Sequence, residues 1–83
     1  MPTVKITAIS SEKLPSVFKM RAWVDGWSNA AGGVWGTPAY DGNECTVTVT
    51  GIGVAAAESV VQNTINTYND TNTGGDTLMV SVY

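Results

Sequence analysis

Residues 44–69 read ECTVTVTGIGVAAAESVVQNTINTYN, and the spacing of their apolar residues changes once, at Gly51. Before it, Cys45, Val47 and Val49 alternate with Thr46, Thr48 and Thr50. That is the period of a pleated strand, built from β-branched residues that suit one. After Gly53, the residues Val54, Ala57, Val61, Ile65 and Tyr68 recur at steps of three and four, with Ala56 and Val60 widening the stripe. Glu58, Gln62, Asn63 and Asn66 take the other side, so Val54–Asn69 is predicted to be an amphipathic helix of about four turns. The chain then closes with TLMVSVY, where Leu78, Val80 and Val82 share one face of a strand. A strand–helix–strand unit of this kind predicts a right-handed crossover with its two strands parallel, if both join one sheet.

Upstream, Thr3–Ile9 (TVKITAI) alternates strictly and predicts a half-buried strand. SSEKLP interrupts it, with Pro15 unable to donate to a ladder. Val17–Val24 (VFKMRAWV) alternates again: Phe18, Met20, Ala22 and Val24 form an apolar row, and Val17, Lys19, Arg21 and Trp23 the opposite one. A second strand is expected there. A long connection from Asp25 to Asn43 follows. Asp25-Gly26 and Asp41-Gly42 are its turn signals, and short strand pieces are expected near Val34–Trp35 and Ala39–Tyr40. The element order is β-β-β-α-β. The expected fold is a single two-layer α+β domain, residues 1–83, with one amphipathic helix packed on a mainly antiparallel sheet of four to five strands.

Composition narrows the function. Apolar residues make up 43% of the 83 and charged residues only 13%, so the chain is globular with a largely neutral surface. All four basic residues, Lys5, Lys13, Lys19 and Arg21, precede residue 22, and six of the seven acids follow it. A duplex nucleic-acid binder carries more basic residues, clustered on one surface, and that partner is not expected. Residues 1–5 lead into an alternating strand, not the apolar core of a signal peptide. No stretch approaches the ~20 apolar residues of a membrane span. The expectation is a soluble protein of the cytoplasm, or of the host cytoplasm if the protein is viral, with no membrane partner.

All three tryptophans, Trp23, Trp27 and Trp35, fall in the glycine-rich stretch from Ala22 to Glu44. A one-helix layer leaves the second sheet face uncovered. That face would carry Thr3, Lys5, Thr7, Lys19, Arg21, Trp23, Thr46, Thr48, Thr50, Met79, Ser81 and Tyr83. Three explanations remain open: the tryptophan-rich loop folds over it, a second protein chain covers it, or it is a platform on which a ligand stacks.

Little of the chain suits catalysis. Without histidine there is no Ser-His or Cys-His pair and no common general base. The lone Cys45 sits in an apolar strand row, so neither a thiolate metal cluster nor a disulfide is expected. Asp25, Asp41 and Glu44 share one loop region with nothing to make them converge. Gly51, Gly53 and Ala56 match G-x-G-x-x-A at the start of a helix, where free N–H groups can meet an anion. A single unit of this kind is not a dinucleotide fold, and a tight turn explains the glycines equally. Asp70–Asp76 has oxygen ligands beside Gly-Gly but lacks the distal bidentate Glu of a calcium loop.

No catalytic residue, metal or cofactor is therefore expected. The leading expectation is a small non-enzymatic protein-interaction module, of the inhibitor or accessory type that viruses and mobile elements encode, acting as a homo-oligomer. Its contact residues would be Trp23, Trp27, Trp35, Lys19, Arg21 and Tyr83. The alternative is a binder of a nucleotide-like anion or a saccharide, using Gly51, Gly53, Val54 and Trp23.

Overall fold

A computed structural model describes residues 2–71 and 77–83. In chain order they form β1 (Thr3–Thr7), a single 3₁₀ turn (Ser11–Lys13), α1 (Val17–Ala31), β2 (Val34–Trp35), β3 (Ala39–Asp41), β4 (Glu44–Thr50), α2 (Val54–Thr71) and β5 (Met79–Val82). The five strands make one antiparallel sheet, and both helices contact its strands. The two-layer α+β class follows from these contacts. No helix among the described residues is long and apolar enough to cross a membrane.

The order across the sheet is β2-β4-β1-β5, with β3 also on the outer side of β4. β4 and β5 each run antiparallel to β1, which lies between them. They are thus parallel to each other, as the strand–helix–strand pattern requires. The same holds for β1 and the β2–β3 edge, separated by β4. If β2 and β3 are counted as one interrupted edge strand, the chain is a β-α-β-β-α-β arrangement of two interleaved crossover units. Pro38 sits in the interruption, where the missing N–H costs no ladder bond.

Two expectations are corrected by α1. The segment Val17–Val24 is the first half of a helix, not a strand, and Asp25-Gly26 lies inside that helix instead of turning the chain. Ser16 starts the helix: its backbone is extended (φ −60°, ψ 159°) and its side-chain oxygen accepts a hydrogen bond from the Lys19 N–H at 3.2 Å. That is the capping geometry expected of Ser ahead of a first turn. Met20, Val24 and Trp27 then point inward at steps of four and three. Met20 and Val24 also fit an alternating row, because residues four apart share a side in both structures. Phe18 is the residue that separates the readings. It belongs to the apolar row of a strand but lies opposite the core in a helix, and it is 86% exposed.

The core lies between the sheet and the helices. Val4 and Ile6 of β1 and Cys45, Val47 and Val49 of β4 meet Met20, Val24 and Trp27 of α1 and Val61 and Ile65 of α2. Both helices therefore share one face of the sheet. The tryptophan-rich stretch does not fold over the other face, and Lys19, Arg21 and Trp23 do not lie on it, because the segment carrying them is helical. Thr48, Met79, Ser81 and Tyr83 are exposed on that open face. Lys5 and Glu44 form an ion pair across it at 3.1 Å, worth well under about 1 kcal/mol in this half-exposed setting.

Two glycines fix the junction between the crossover units. Gly33, just past α1, has φ +84°, and a Cβ there would meet the Thr50 carbonyl oxygen at 2.8 Å. Gly51, which ends β4, has φ +90°, and its side faces the Gly33 Cα. Both need positive φ and close backbone approach, which only glycine tolerates without strain. The turn reading of Gly51 thus has a local physical cause. The Asp70–Asp76 oxygen cluster falls largely outside the described residues. Its first members, Asp70 and Thr71, are the last residues of α2.

Candidate functional site

Helix periodicity aligns the tryptophans. Trp23 and Trp27 are four residues apart on α1, so they share a flank of that helix. Trp35 reaches the same side of the sheet because it pairs with Val49, whose side chain faces the core. The result is an aromatic row. Trp35 and Trp27 have ring centroids 5.6 Å apart, Trp27 and Trp23 6.2 Å, and Trp23 and Tyr68 of α2 5.6 Å, the last pair edge-to-face at 83°. Such tilted and perpendicular pairs are the favoured aromatic geometries.

Burial is deepest at Trp27, inside the row. Trp27 is buried, and its indole N–H donates to Thr64 Oγ1 at 2.8 Å. Trp35 is half-buried and donates to the Gly32 carbonyl at 2.9 Å. Trp23 and Tyr68 are half-buried and lie at the surface end. The Lys19 ammonium stands 5.6 Å from the Trp23 ring centre and 5.1 Å from that of Tyr68, within cation–π range of both.

Trp23 divides a groove between α1 and α2. One side, about 440 Å³, is lined by Lys19, Trp23, Asn63, Thr64, Thr67, Tyr68 and Thr71. The other, about 360 Å³, shares Trp23, Asn63 and Thr64 and adds Ala22, Gly26, Trp27, Ala30 and Val60. Lys19 neighbours Thr71 and Ala30 neighbours Val60, so the two helices run antiparallel along a groove of roughly 16 Å, the rise of eleven helical residues. Ala22, Gly26 and Ala30, at four-residue spacing, keep the α1 wall low. Among the described residues, Lys19 is the single charged one lining the groove, and no carboxylate does.

The structure gathers Trp23, Trp27, Trp35 and Lys19 into one constellation and separates the other predicted contact residues from it. Arg21 is on the opposite flank of α1, in a cleft of about 300 Å³ with Asp25, Trp35 and Pro38. Tyr83 is at the far edge of the sheet, 60% exposed. Gly51, Gly53 and Val54 are all exposed at the start of α2. Trp23 packs beside Thr64 and Tyr68, roughly 15–20 Å further along that helix, so Trp23 and the helix start do not form one pocket. Tyr68 is the member of the aromatic row that sequence reading missed. Its place on the apolar stripe of α2 marked it for the core, and only the helical state of residues 17–31 brings Trp23 against it.

The remaining candidate nucleophile is shut away. Cys45 is fully buried, and burial pushes its thiol up to about 11 from a reference of 9.0. The Tyr40 hydroxyl is raised too, by burial first and then by Cys45; it donates to the Pro15 carbonyl at 2.6 Å. Among the described residues, no group of three Cys, Asp or Glu side chains is placed to hold a metal ion. Comparison with known proteins finds no matching family model, curated protein or solved structure.

Proposed function

We propose that the protein is a small non-enzymatic interaction module, working as a homo-oligomer, whose contact surface is the α1–α2 groove. The observation that carries this reading is the aromatic row, which starts in the core at Trp27 and surfaces at Trp23 and Tyr68 beneath Lys19. Aromatic side chains held rigid from behind, with one adjacent cation, are the composition of a binding hot spot. Lys19 sets orientation and approach of a partner segment, while Trp23 and Tyr68 supply the area that becomes dry on contact. An inhibitor or accessory protein of viral or mobile-element type suits so small a module.

A second reading is favoured by the groove's lining. Asn63, Thr64, Thr67 and Thr71 offer amide and hydroxyl groups beside the Trp23 ring, which suits a saccharide. A nucleotide-like anion at Gly51 and Gly53 would be a separate site.

The test is partner capture from the native host by the immobilised chain, repeated with single alanine variants. Trp23→Ala is expected to abolish capture while losing no more than about 1–2 kcal/mol of stability, as a half-exposed side chain would. Trp27→Ala is expected to cost about 3–5 kcal/mol, like other buried aromatic truncations. Undiminished capture by a folded Trp23→Ala variant would refute the groove as the contact surface. Quenching of tryptophan fluorescence by oligosaccharides, with no protein captured, would favour the second reading.

A further inference from the structure

We propose that the outer edge of β5 is a homodimer interface, where β5 pairs antiparallel with β5 of a second copy about a two-fold axis through Ser81. The inner edge of β5 is occupied by β1. Thr3 and Tyr83 exchange both backbone hydrogen bonds, at 2.7 and 3.0 Å. Such pairs alternate along an antiparallel ladder. With Lys5 opposite Ser81 and Thr7 opposite Met79, the backbone groups of Tyr83, Ser81 and Met79 point at β1. Those of Leu78, Val80 and Val82 point away.

Leu78 is already satisfied. Its N–H donates to Asn69 Oδ1 at 2.8 Å, and its carbonyl accepts from Asn69 Nδ2 at 3.1 Å. Asn69, near the end of α2, therefore closes one end of this edge. Beyond it, the N–H and C=O of Val80 and Val82 have no partner among the described residues. These four groups are a template for another strand. Leu78–Tyr83 contains neither of the residue types that protect natural edges, a charged residue or a proline. The opposite edge has them: it is broken at residues 36–38 and carries Pro38 and Asp41.

The occupant follows from the register. The antiparallel register that uses all four groups sets Val80 opposite the second copy's Val82, and by symmetry Val82 opposite its Val80. Ser81 then faces its own counterpart. Met79, 70% exposed, falls opposite the second copy's Tyr83, 60% exposed. Each is a large apolar side chain on the open face with little cover from the described residues. Across the axis a thioether meets an aromatic ring, a favourable cross-strand pair. The two sheets join into one of ten strands. The paired edge is short, so the dimer is concentration-dependent.

This interface gives a surface to the self-association in the proposed function and uses no groove residue. Sedimentation equilibrium over about a hundredfold range of concentration should show monomer passing to dimer, with no larger species. Ser81→Glu keeps a favourable neighbour in Lys5 within its own sheet but brings two carboxylates together at the axis. It is expected to raise the dimer dissociation constant at least about tenfold. Ser81→Cys should form a covalent dimer under mild oxidation, because directly opposed strand residues lie within disulfide reach. Met79→Cys should not, its two copies being roughly 13 Å apart along the strands.

A chain that stays monomeric throughout would overturn the proposal, as would a folded Ser81→Glu variant that dimerises normally. Equal cross-linking of the Met79→Cys and Ser81→Cys variants would also overturn it. Should Ser81→Glu fail to fold, the two cysteine variants decide. Loss of partner capture by Trp23→Ala with Ser81→Cys cross-linking intact would assign the two surfaces separate roles.

Discussion

Trp23 and Trp27 are one helical turn apart, yet only Trp27 is committed to the interior. Its ring is enclosed and its N–H is taken by Thr64, whereas Trp23 keeps one face on the groove. That difference was not legible in the sequence, where three tryptophans in a glycine-rich stretch look alike. Cys45 was legible, because its place in an alternating β-branched run marked it as core. Its raised thiol has a measurable consequence. Below pH 9 the thiol is protonated in both folded and unfolded chains. Between about 9 and 11 the unfolded chain releases that proton and the folded one does not, so stability falls as pH rises. The loss should reach about 2–3 kcal/mol near pH 11, with the raised Tyr40 adding in the same direction. Denaturant melts of wild type and Cys45→Ala across this range check it. The variant, less stable at neutral pH, should show the shallower decline.

At the scale of the element, residues 44–71 and 79–82 were readable because a single period dominates each of them. Alternation of Val with Thr leaves no helical reading for β4, and α2 keeps its stripe for more than four turns. Val17–Val24 carries both periods at once. Eight residues are too few to separate them, and the deciding residues are Trp27 inside and Phe18 outside, at opposite ends of a longer window. Asp25-Gly26 read as a turn weighed against a helix, and the Ser16 cap that starts α1 is established only by the structure. Beyond its own helix backbone, Gly26 has no described atom within 4 Å of where a Cβ would stand. Gly26→Ala should therefore raise stability by about 0.5–1 kcal/mol, the usual gain for Gly to Ala in a helix interior. A higher thermal midpoint would agree with α1 as described; destabilisation would indicate that the site is not an unstrained helical position.

For the whole molecule, the two-layer class survived one misread element because topology is set by pairing, not by element count. β1 pairs antiparallel with both β4 and β5, and α2 contacts β1 and β5, so the helix-on-sheet layering rests on elements that were read correctly. The extra helix changes what the layers cover. Both helices share one sheet face, Trp23 and Trp27 line the seam between them, and among the described residues nothing packs on the other face or pairs with the outer edge of β5. The groove thus follows from the folding of residues 17–31 as a helix, which sets α1 beside α2. The most direct test of the central claim is nitrogen–proton NMR of the three indole N–H groups during titration with the captured partner. The Trp23 signal should shift or broaden strongly, while those of Trp27 and Trp35, bonded to Thr64 and Gly32, stay nearly fixed. Perturbation of Trp27 and Trp35 with Trp23 unmoved would contradict a partner held in the α1–α2 groove.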